Sequence, residues 1–218
     1  MAKLQRENVI RAALALLDEV GAEGLTTRKL AERLHVQQPA LYWHFKNKRE
    51  LLDALAEAML AENHLHSLPR AGEDWRSFLA ANARSFRRAL LARRDGARIH
   101  AGTRPGGEPS AAARAQVRLL CEAGFTSRDA VLALAAISHY TVGAALEQQM
   151  AEEAGRPADG GLLRDYDQAG PDAAFEFGIE TLIAGLERRV SRAAADSRSA
   201  SSGSAPTAGR SPPRTRPR

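Results

Sequence analysis

Apolar residues recur at helical spacing along nearly the whole chain, and no segment alternates with the period of two that marks a strand. Val9, Ile10, Ala13, Leu14, Leu16, Leu17 and Val20 form one broad stripe, which Gly21 closes as a C′ residue. Thr26 or Thr27 can cap a second helix carrying Leu30, Ala31 and Leu34. His35-Val36 breaks that helix, and Pro39 suits the first turn of a short third one. Asn47 followed by Glu50 reads as a capping box for a longer fourth helix running toward Leu65. "HSLPRAGED" ends it. Later stripes are Trp75/Phe78/Leu79, Ala113 to Ala123, a mostly apolar stretch from Ala130 to Gln149, and Pro171 to Arg189. The expected fold class is all-α.

With 218 residues the chain can bury a sizeable core, as one large domain or two small ones. No apolar run near eighteen residues stands out, so no membrane span is expected. "MAKLQRENVI" is charged and has no cleavable apolar region, and the lone Cys121 suits a reducing compartment; a cytoplasmic protein is expected. The formal charge of +5 is unevenly spread. Residues 1–49 hold nine Lys/Arg against five Asp/Glu, residues 50–190 are mildly acidic, and residues 191–218 carry six Arg and one Asp. A small basic module at one end implies a polyanion partner for that module. The tail "SRAAADSRSASSGSAPTAGRSPPRTRPR" has no apolar face and is expected to be a disordered basic appendage.

The densest chemistry lies in "QQPALYWHFKNKRELL", residues 37–52, where aromatic, amide and basic residues crowd together although only 5% of the chain is aromatic. A helix, a short break and a second short helix make a helix-turn-helix. Leu41 and Phe45, four apart, can bury together, which leaves Gln37, Gln38, Pro39, Ala40, Tyr42, Trp43 and His44 for a DNA major groove. A glutamine can pair with adenine, apolar groups can meet a thymine methyl, and a tyrosine hydroxyl can reach a phosphate. Thr27, Arg28 and Lys48 stand where they can hold the DNA backbone.

The middle of the chain has polar residues on apolar stripes. Asn82 sits one turn before Phe86, and His139 lies inside "LAAISHYTVGAAL". A buried amide without partners costs about 1–3 kcal/mol, so each is either bonded to a neighbour or faces a ligand cavity. With His64, His100 and Glu147 they suggest a lined pocket.

"LTTRKLAERLHVQQPALYWHFKNKRELLDALAEAML" resembles the DNA-binding region of the TetR family of regulators. "SFRRALLARRDGARIHAGTRP", "QVRLLCEAGF" and "ISHYTVGAALEQQ" extend the resemblance to its tetracycline-responsive branch, over residues 4 to about 189. The resemblance implies a helix-turn-helix domain (1–47), a connecting helix (48–66) and a ligand-binding and dimerisation domain (67–190); the basic tail (191–218) has no counterpart in the family. It implies a homodimeric repressor that binds double-stranded palindromic operator DNA, controls an efflux resistance gene and itself, and is released by a magnesium–tetracycline complex. His100 is then the direct Mg2+ ligand, and Glu147 of the partner subunit holds the ion through water. His64 and Asn82 bond the drug's polar edge, while Phe86, Thr103, Arg104, Pro105, Gln116 and His139 line the rest.

Phe175, Gly178, Ile179, Leu182, Gly185 and Leu186 repeat near a/d spacing and are read as a dimer seam, with Gly143-Ala144-Ala145 as a second small patch. Three features depart from the family pattern. His35 replaces a turn glycine, Ala40 lacks a hydroxyl, and residues 150–171 are short, with Leu162, Leu163 and Tyr166 as lid residues. A repressor answering another planar or lipophilic compound is the alternative. A hydrolase built on His64, His100, His139 and Glu147 lacks an HExxH motif and a nucleophile with its base, so no enzyme is expected. A helical module for protein partners predicts no salt-dependent DNA binding.

Overall fold

The computed structural model describes residues 4–103, 110–155 and 164–202. Arg104, Pro105, Leu162 and Leu163 lie outside them, as does the side chain of Tyr166. Among the described residues there are helices and turns and no strands. The order is α1 (Arg6–Gly24), α2 (Thr27–Arg33), a 3-10 helix (Gln38–Trp43), α3 (Lys48–Asn63), α4 (Trp75–Leu91), α5 (Gly96–Ala101), α6 (Ala111–Glu122), α7 (Ser127–Ala154) and α8 (Arg164–Ser202).

Local chemistry sets most of these boundaries. Thr26, Asn47, Asp74, Ser110 and Thr126 each accept a backbone N–H of the first turn that follows, satisfying donors the helix itself leaves open. The expected capping box at α3 is present in a shifted form, because the Glu50 carboxylate accepts Lys46 N–H at 2.8 Å rather than that of Asn47. Gly21 has φ 71, as its place after the first apolar stripe implies, and the chain stays helical for three further residues beyond it.

His35 adopts φ 54. Its N–H reaches Glu32 O at 3.1 Å and Val36 N–H reaches Ala31 O at 3.0 Å, the paired bonds of a Schellman ending. The left-handed conformation costs a side chain about 1–2 kcal/mol. Glycine avoids that cost but has a more disordered unfolded chain, so His35→Gly is expected to stabilise by about 0.5–1 kcal/mol, or roughly 2–4 °C for each kcal/mol in a domain of this size. A thermal melt of the two proteins checks this, and an unchanged or lower midpoint removes the strain argument.

Leu41 and Phe45 are buried against Leu16, Leu17 and Leu30, and close the core of the head formed by α1, α2, the 3-10 helix and α3. Burying such side chains contributes about 1.5–3 kcal/mol each. Ile99 of α5 also belongs to this cluster, so the head and the remaining helices share an apolar contact. A second cluster joins Trp75, Phe78 and Leu79 of α4 to Leu120, Phe125, Ala130 and Ala133.

Three expectations are corrected here. Helix α7 is long and apolar enough, by length and composition, to cross a membrane, with a window of mean hydropathy 1.4. Its alanines raise the mean without forming a run of large side chains, and the stripe Ala130, Ala133, Ile137, Thr141 and Ala145 is buried against α4, α5, α6 and α8. That one stripe seats the helix in the bundle, with 28% of its apolar window buried within the chain. Composition predicts a disordered tail from residue 191, yet α8 continues to Ser202. Ala193, Ala194 and Ala195 favour helix, and the first glycine and proline beyond Arg189 come only at Gly203 and Pro206. Residues 203–218 lie outside the described residues.

The third correction concerns the seam on α8. Phe175 and Ile179 are fully buried in their own chain, Leu182 packs on the same core, and Leu186 packs on the Trp75–Phe125 cluster. A Cβ on Gly178 would fall on the Tyr140 ring, so this glycine serves close packing of α8 on α7 within one chain. The Tyr140 hydroxyl donates to Ala174 O at 3.1 Å and its ring stacks on Phe175 at 5.7 Å. The apolar stripe is used first by the chain's own core. The large apolar residues left exposed on these two helices are Phe177 on α8 (74%) and Val131, Leu132 and Met150 on α7, while a Cβ on Gly143 or Gly185 meets nothing within 4 Å.

Candidate ligand site and nucleic-acid interface

The reading surface of the head is basic because of where its carboxylates are spent. Glu19 pairs with Arg33 at 2.7 Å, which holds its carboxyl below the usual range. Asp18 and Glu23 pair with Arg93 and Arg98 at 2.7 and 2.8 Å, on the side of α1 that faces the rest of the molecule. Arg28, Gln37, Gln38, Pro39, Tyr42, Trp43 and Lys48 are exposed, with Trp43 at 88% and Tyr42 at 49%. Thr27, Ala40 and His44 are half-buried. Gln38 Nε2 donates to Thr27 Oγ1 at 2.9 Å, which aims the amide by tying it to the start of α2. An exposed tryptophan beside a tyrosine and two amides on one short helix has no use in a core. The ten residues predicted for DNA thus all lie between the start of α2 and the start of α3.

The second site lies between α3, α4 and α5. His64 caps the C-terminal end of α3. Its Nδ1 lies 3.1 Å from Ser85 Oγ on α4, and its Nε2 faces the Asn82 amide nitrogen at 3.4 Å. Asn82 Nδ2 also donates to His66 O at 2.9 Å, so this buried amide is satisfied by a neighbour. Ser85 Oγ accepts His66 N–H at 3.1 Å. The Phe86 ring stands between the two histidines, 5.5 Å from His64 and edge-on to His100 at 5.1 Å. His100 Nδ1 is buried with no hydrogen-bond partner among the described residues. Thr103 Oγ1 donates to His100 O at 2.7 Å, which closes the end of α5. Gln116 Nε2 donates to Ser67 O at 2.7 Å and ties α6 to the segment between α3 and α4.

Electrostatics keep both imidazoles neutral. His64 is pushed down to about 4, first by burial and then by repulsion from His66, Arg88 and His100. Burial alone pushes His100 below its ordinary value of 6.5. The unfolded chain then binds a proton at His64 between about pH 6.5 and 4 that the folded chain does not. Stability is therefore full above pH 6.5 and falls as pH drops through that window. Allowing for partial exposure, the loss from pH 7.5 to 5 is about 1 kcal/mol. Urea unfolding at the two pH values measures it, and His64→Gln should flatten the difference. An equally steep fall in the variant assigns the effect to other groups.

His64, Asn82, Phe86, His100 and Thr103 are thus brought together, with Gln116 nearby. Two predicted residues are not. Glu147 is exposed on α7, and no contact joins it to His100 within the chain. His139, expected as a polar misfit in an apolar bundle, is exposed; two residues past buried Ile137 it lies about 200° around the helix, away from the core. Sequence reasoning misses Ser85 and His66. Ser85 is fully buried three residues after Asn82 and so shares its face, and that spacing is the signal that could find it. Two surface cavities of about 520 and 530 Å3 open elsewhere, beside Pro69–Trp75 and beside Leu91–Asp95. Among the described residues no group of three or more His, Cys, Asp or Glu side chains could hold a metal by itself.

Two family models match the chain. Residues 9–55 match that of bacterial regulatory proteins of the tetR family, and residues 68–168 match the tetracyclin repressor-like C-terminal domain. The class A tetracycline repressor protein from transposon 1721 of Escherichia coli is 63% identical over 201 residues, covering 87% of this chain and 93% of that protein. The class C tetracycline repressor protein of Escherichia coli is 62% identical over 203 residues, with 86% and 93% covered. A solved structure of class A TetR in complex with 5a,6-anhydrotetracycline and magnesium superposes with a TM-score of 0.72 at 61% identity, covering 85% of this chain and 99% of that one.

Proposed function

Because the chain belongs to the TetR family of DNA-binding regulators, which are not enzymes, we propose that it is a homodimeric cytoplasmic repressor of a tetracycline-resistance promoter, released by tetracycline with magnesium. The observation that carries the inducer reading is the half-buried, neutral His100 imidazole, whose Nδ1 is buried and unpartnered among the described residues, beside Phe86 and the His64–Asn82 pair. A lone pair held neutral and dry fits a divalent cation, and carboxylate plus water complete a hard-ion shell. His100 would hold the ion directly, and Glu147 of the partner subunit would hold it through water. When bound, magnesium would supply a positive centre for the drug's oxygens. His64 and Asn82 orient the drug's polar edge, and Phe86, Thr103 and Gln116 line the site, with Arg104, Pro105 and His139 as further lining residues.

In this reading residues 1–47 are the reading head, which shares its core with the connecting helix 48–66, residues 67–190 are the ligand and dimer domain, and residues 191–218 are a basic tail whose first part continues α8. A second copy would cover Phe177, Val131, Leu132 and His139 and fill the open space at Gly143 and Gly185. Two heads then read a palindrome with half-sites about 34–36 Å apart or a multiple of that.

His100 and Ile99 are neighbours on a six-residue helix, and Ile99 is buried in the head's core. Any pull on His100 therefore displaces a side chain packed inside the head. To turn a protein from about 1:99 to 99:1 between its two states, drug must favour the released state by about 10⁴-fold, about 5.5 kcal/mol. Linkage requires operator DNA to weaken drug binding by the same factor.

Fluorescence anisotropy with a tetracycline-type palindrome, with and without tetracycline, in magnesium and then in EDTA, tests this. Tight binding released only by drug with magnesium supports every element of the proposal. Binding that ignores drug removes the inducer, and absence of salt-dependent binding removes the operator.

A further inference from the structure

Gln149, near the C-terminal end of α7, spends its side-chain amide on the backbone of another part of the molecule. Nε2 donates to Arg93 O at 2.8 Å and approaches Leu90 O at 3.4 Å, while Oε1 accepts Ala97 N–H at 3.1 Å. These are the groups left open where α4 ends and α5 begins. The turn between them is tight. Asp95 has φ 55, and a Cβ on Gly96 would fall on Leu90 O, so only glycine fits there. No side chain of the turn caps the start of α5.

The opposite side of the same turn grips the head. Asp95 Oδ2 accepts Ala22 N–H at 2.6 Å, and a Cβ on Gly21 would lie 2.8 Å from that oxygen. Arg93 reaches Asp18 at 2.7 Å and Glu62 at 3.0 Å, and the two carboxylates hold its guanidinium above its usual range. Arg94 N–H donates to Asp18 Oδ1 at 3.2 Å and its guanidinium to Glu19 O at 3.1 Å. Arg98 pairs with Glu23 at 2.8 Å. Such exposed ion pairs are individually weak and gain from sharing one rigid backbone. One turn is thus fastened on one side to α7 through the Gln149 amide, with the looser Arg94–Glu153 pair at 3.9 Å and the apolar contact of Leu90 and Ala97 with Ala145 beside it, and on the other to α1 and α3.

We propose that Gln149 is a positioning residue that makes the DNA-reading head move with α7, and that this fastening sets how much of an inducer's effect reaches the operator. The second half rests on the function proposed above; the first stands on the geometry alone. Full-length protein, wild-type and Gln149→Met, which keeps the side chain's length and loses its hydrogen bonds, is compared in two ways. Hydrogen exchange should accelerate at least about tenfold at Ala97 and Ala22, with protection of the middle of α4 unchanged. The ratio of operator affinities without and with tetracycline and magnesium should fall at least about tenfold, with drug affinity of the free protein unchanged within about threefold. Gln149→Glu keeps the acceptor for Ala97 N–H and loses the donor to Arg93 O, so it should fall between the two, and it decides the matter if the Met variant does not fold. Unchanged exchange at Ala22 in a folded variant overturns the fastening. Faster exchange with a wild-type affinity ratio overturns its role in induction. If wild-type operator binding ignores drug, the function reading fails and the exchange at Ala22 alone decides the fastening.

Discussion

Replacing His100 with alanine is expected to weaken magnesium-dependent tetracycline binding at least about a hundredfold, and to leave operator bound at drug concentrations that release the wild-type protein. The physical reason is the unpartnered, buried Nδ1 of a neutral imidazole set edge-on to Phe86. Replacing it removes the one direct metal ligand assigned to the chain, and the remaining polar groups at the site are already engaged. Asn82 is bonded to His66 O, and Gln116 to Ser67 O. Titration of tetracycline fluorescence in magnesium and in EDTA measures the effect. Equal drug affinity in His100→Ala and wild type, with the same magnesium dependence, would place the ion elsewhere.

Gln38→Ala is expected to produce the other large loss. One amide–base pair is worth about 1–3 kcal/mol of discrimination, and a palindrome is read by two heads, so the operator loses about 2–6 kcal/mol, roughly thirtyfold or more in affinity. The amide is exposed and held by Thr27 Oγ1, so it is aimed before DNA arrives. The loss should be confined to the operator and absent on unrelated DNA. Lys48→Ala offers the contrast, weakening all sequences alike and lowering the salt slope by about one for each head. Anisotropy over a salt series separates the two. A uniform loss for Gln38→Ala makes it a backbone contact rather than a reader of sequence.

The DNA-reading segment is legible in the amino-acid sequence because its cues are local. Leu41 and Phe45 bury as their four-residue spacing implies, and Tyr42 and Trp43 are left outside. His35 takes the left-handed conformation that the resemblance implies for a residue standing where relatives have a turn glycine. The ligand site is legible in part. Asn82 and Phe86 share one face of α4, and His64 and His100 meet that face from α3 and α5. His139 and the α8 stripe mislead, since a helix with several small and apolar residues has more than one face that could be the buried one. Only packing chooses, and it gives Ile137 and Thr141 to the core and His139 to the surface. Gly178 shows the same ambiguity, because a small residue permits close approach without naming what approaches.

The sequence by itself determined the helical class, the N-caps of α2 and α3, the buried pair of the reading helix and the basic charge of the head. Each depends on residues within about four positions, where backbone geometry fixes what can touch. Only the tertiary structure decided which distant group satisfies each buried polar atom. Gln149 meets Ala97 across 52 residues, Asp95 meets Ala22 across 73, and His64 meets Ser85 across 21. A hydrogen bond needs its partner within about 3 Å and correctly aimed. No periodicity along the chain specifies that; the packing of whole helices does.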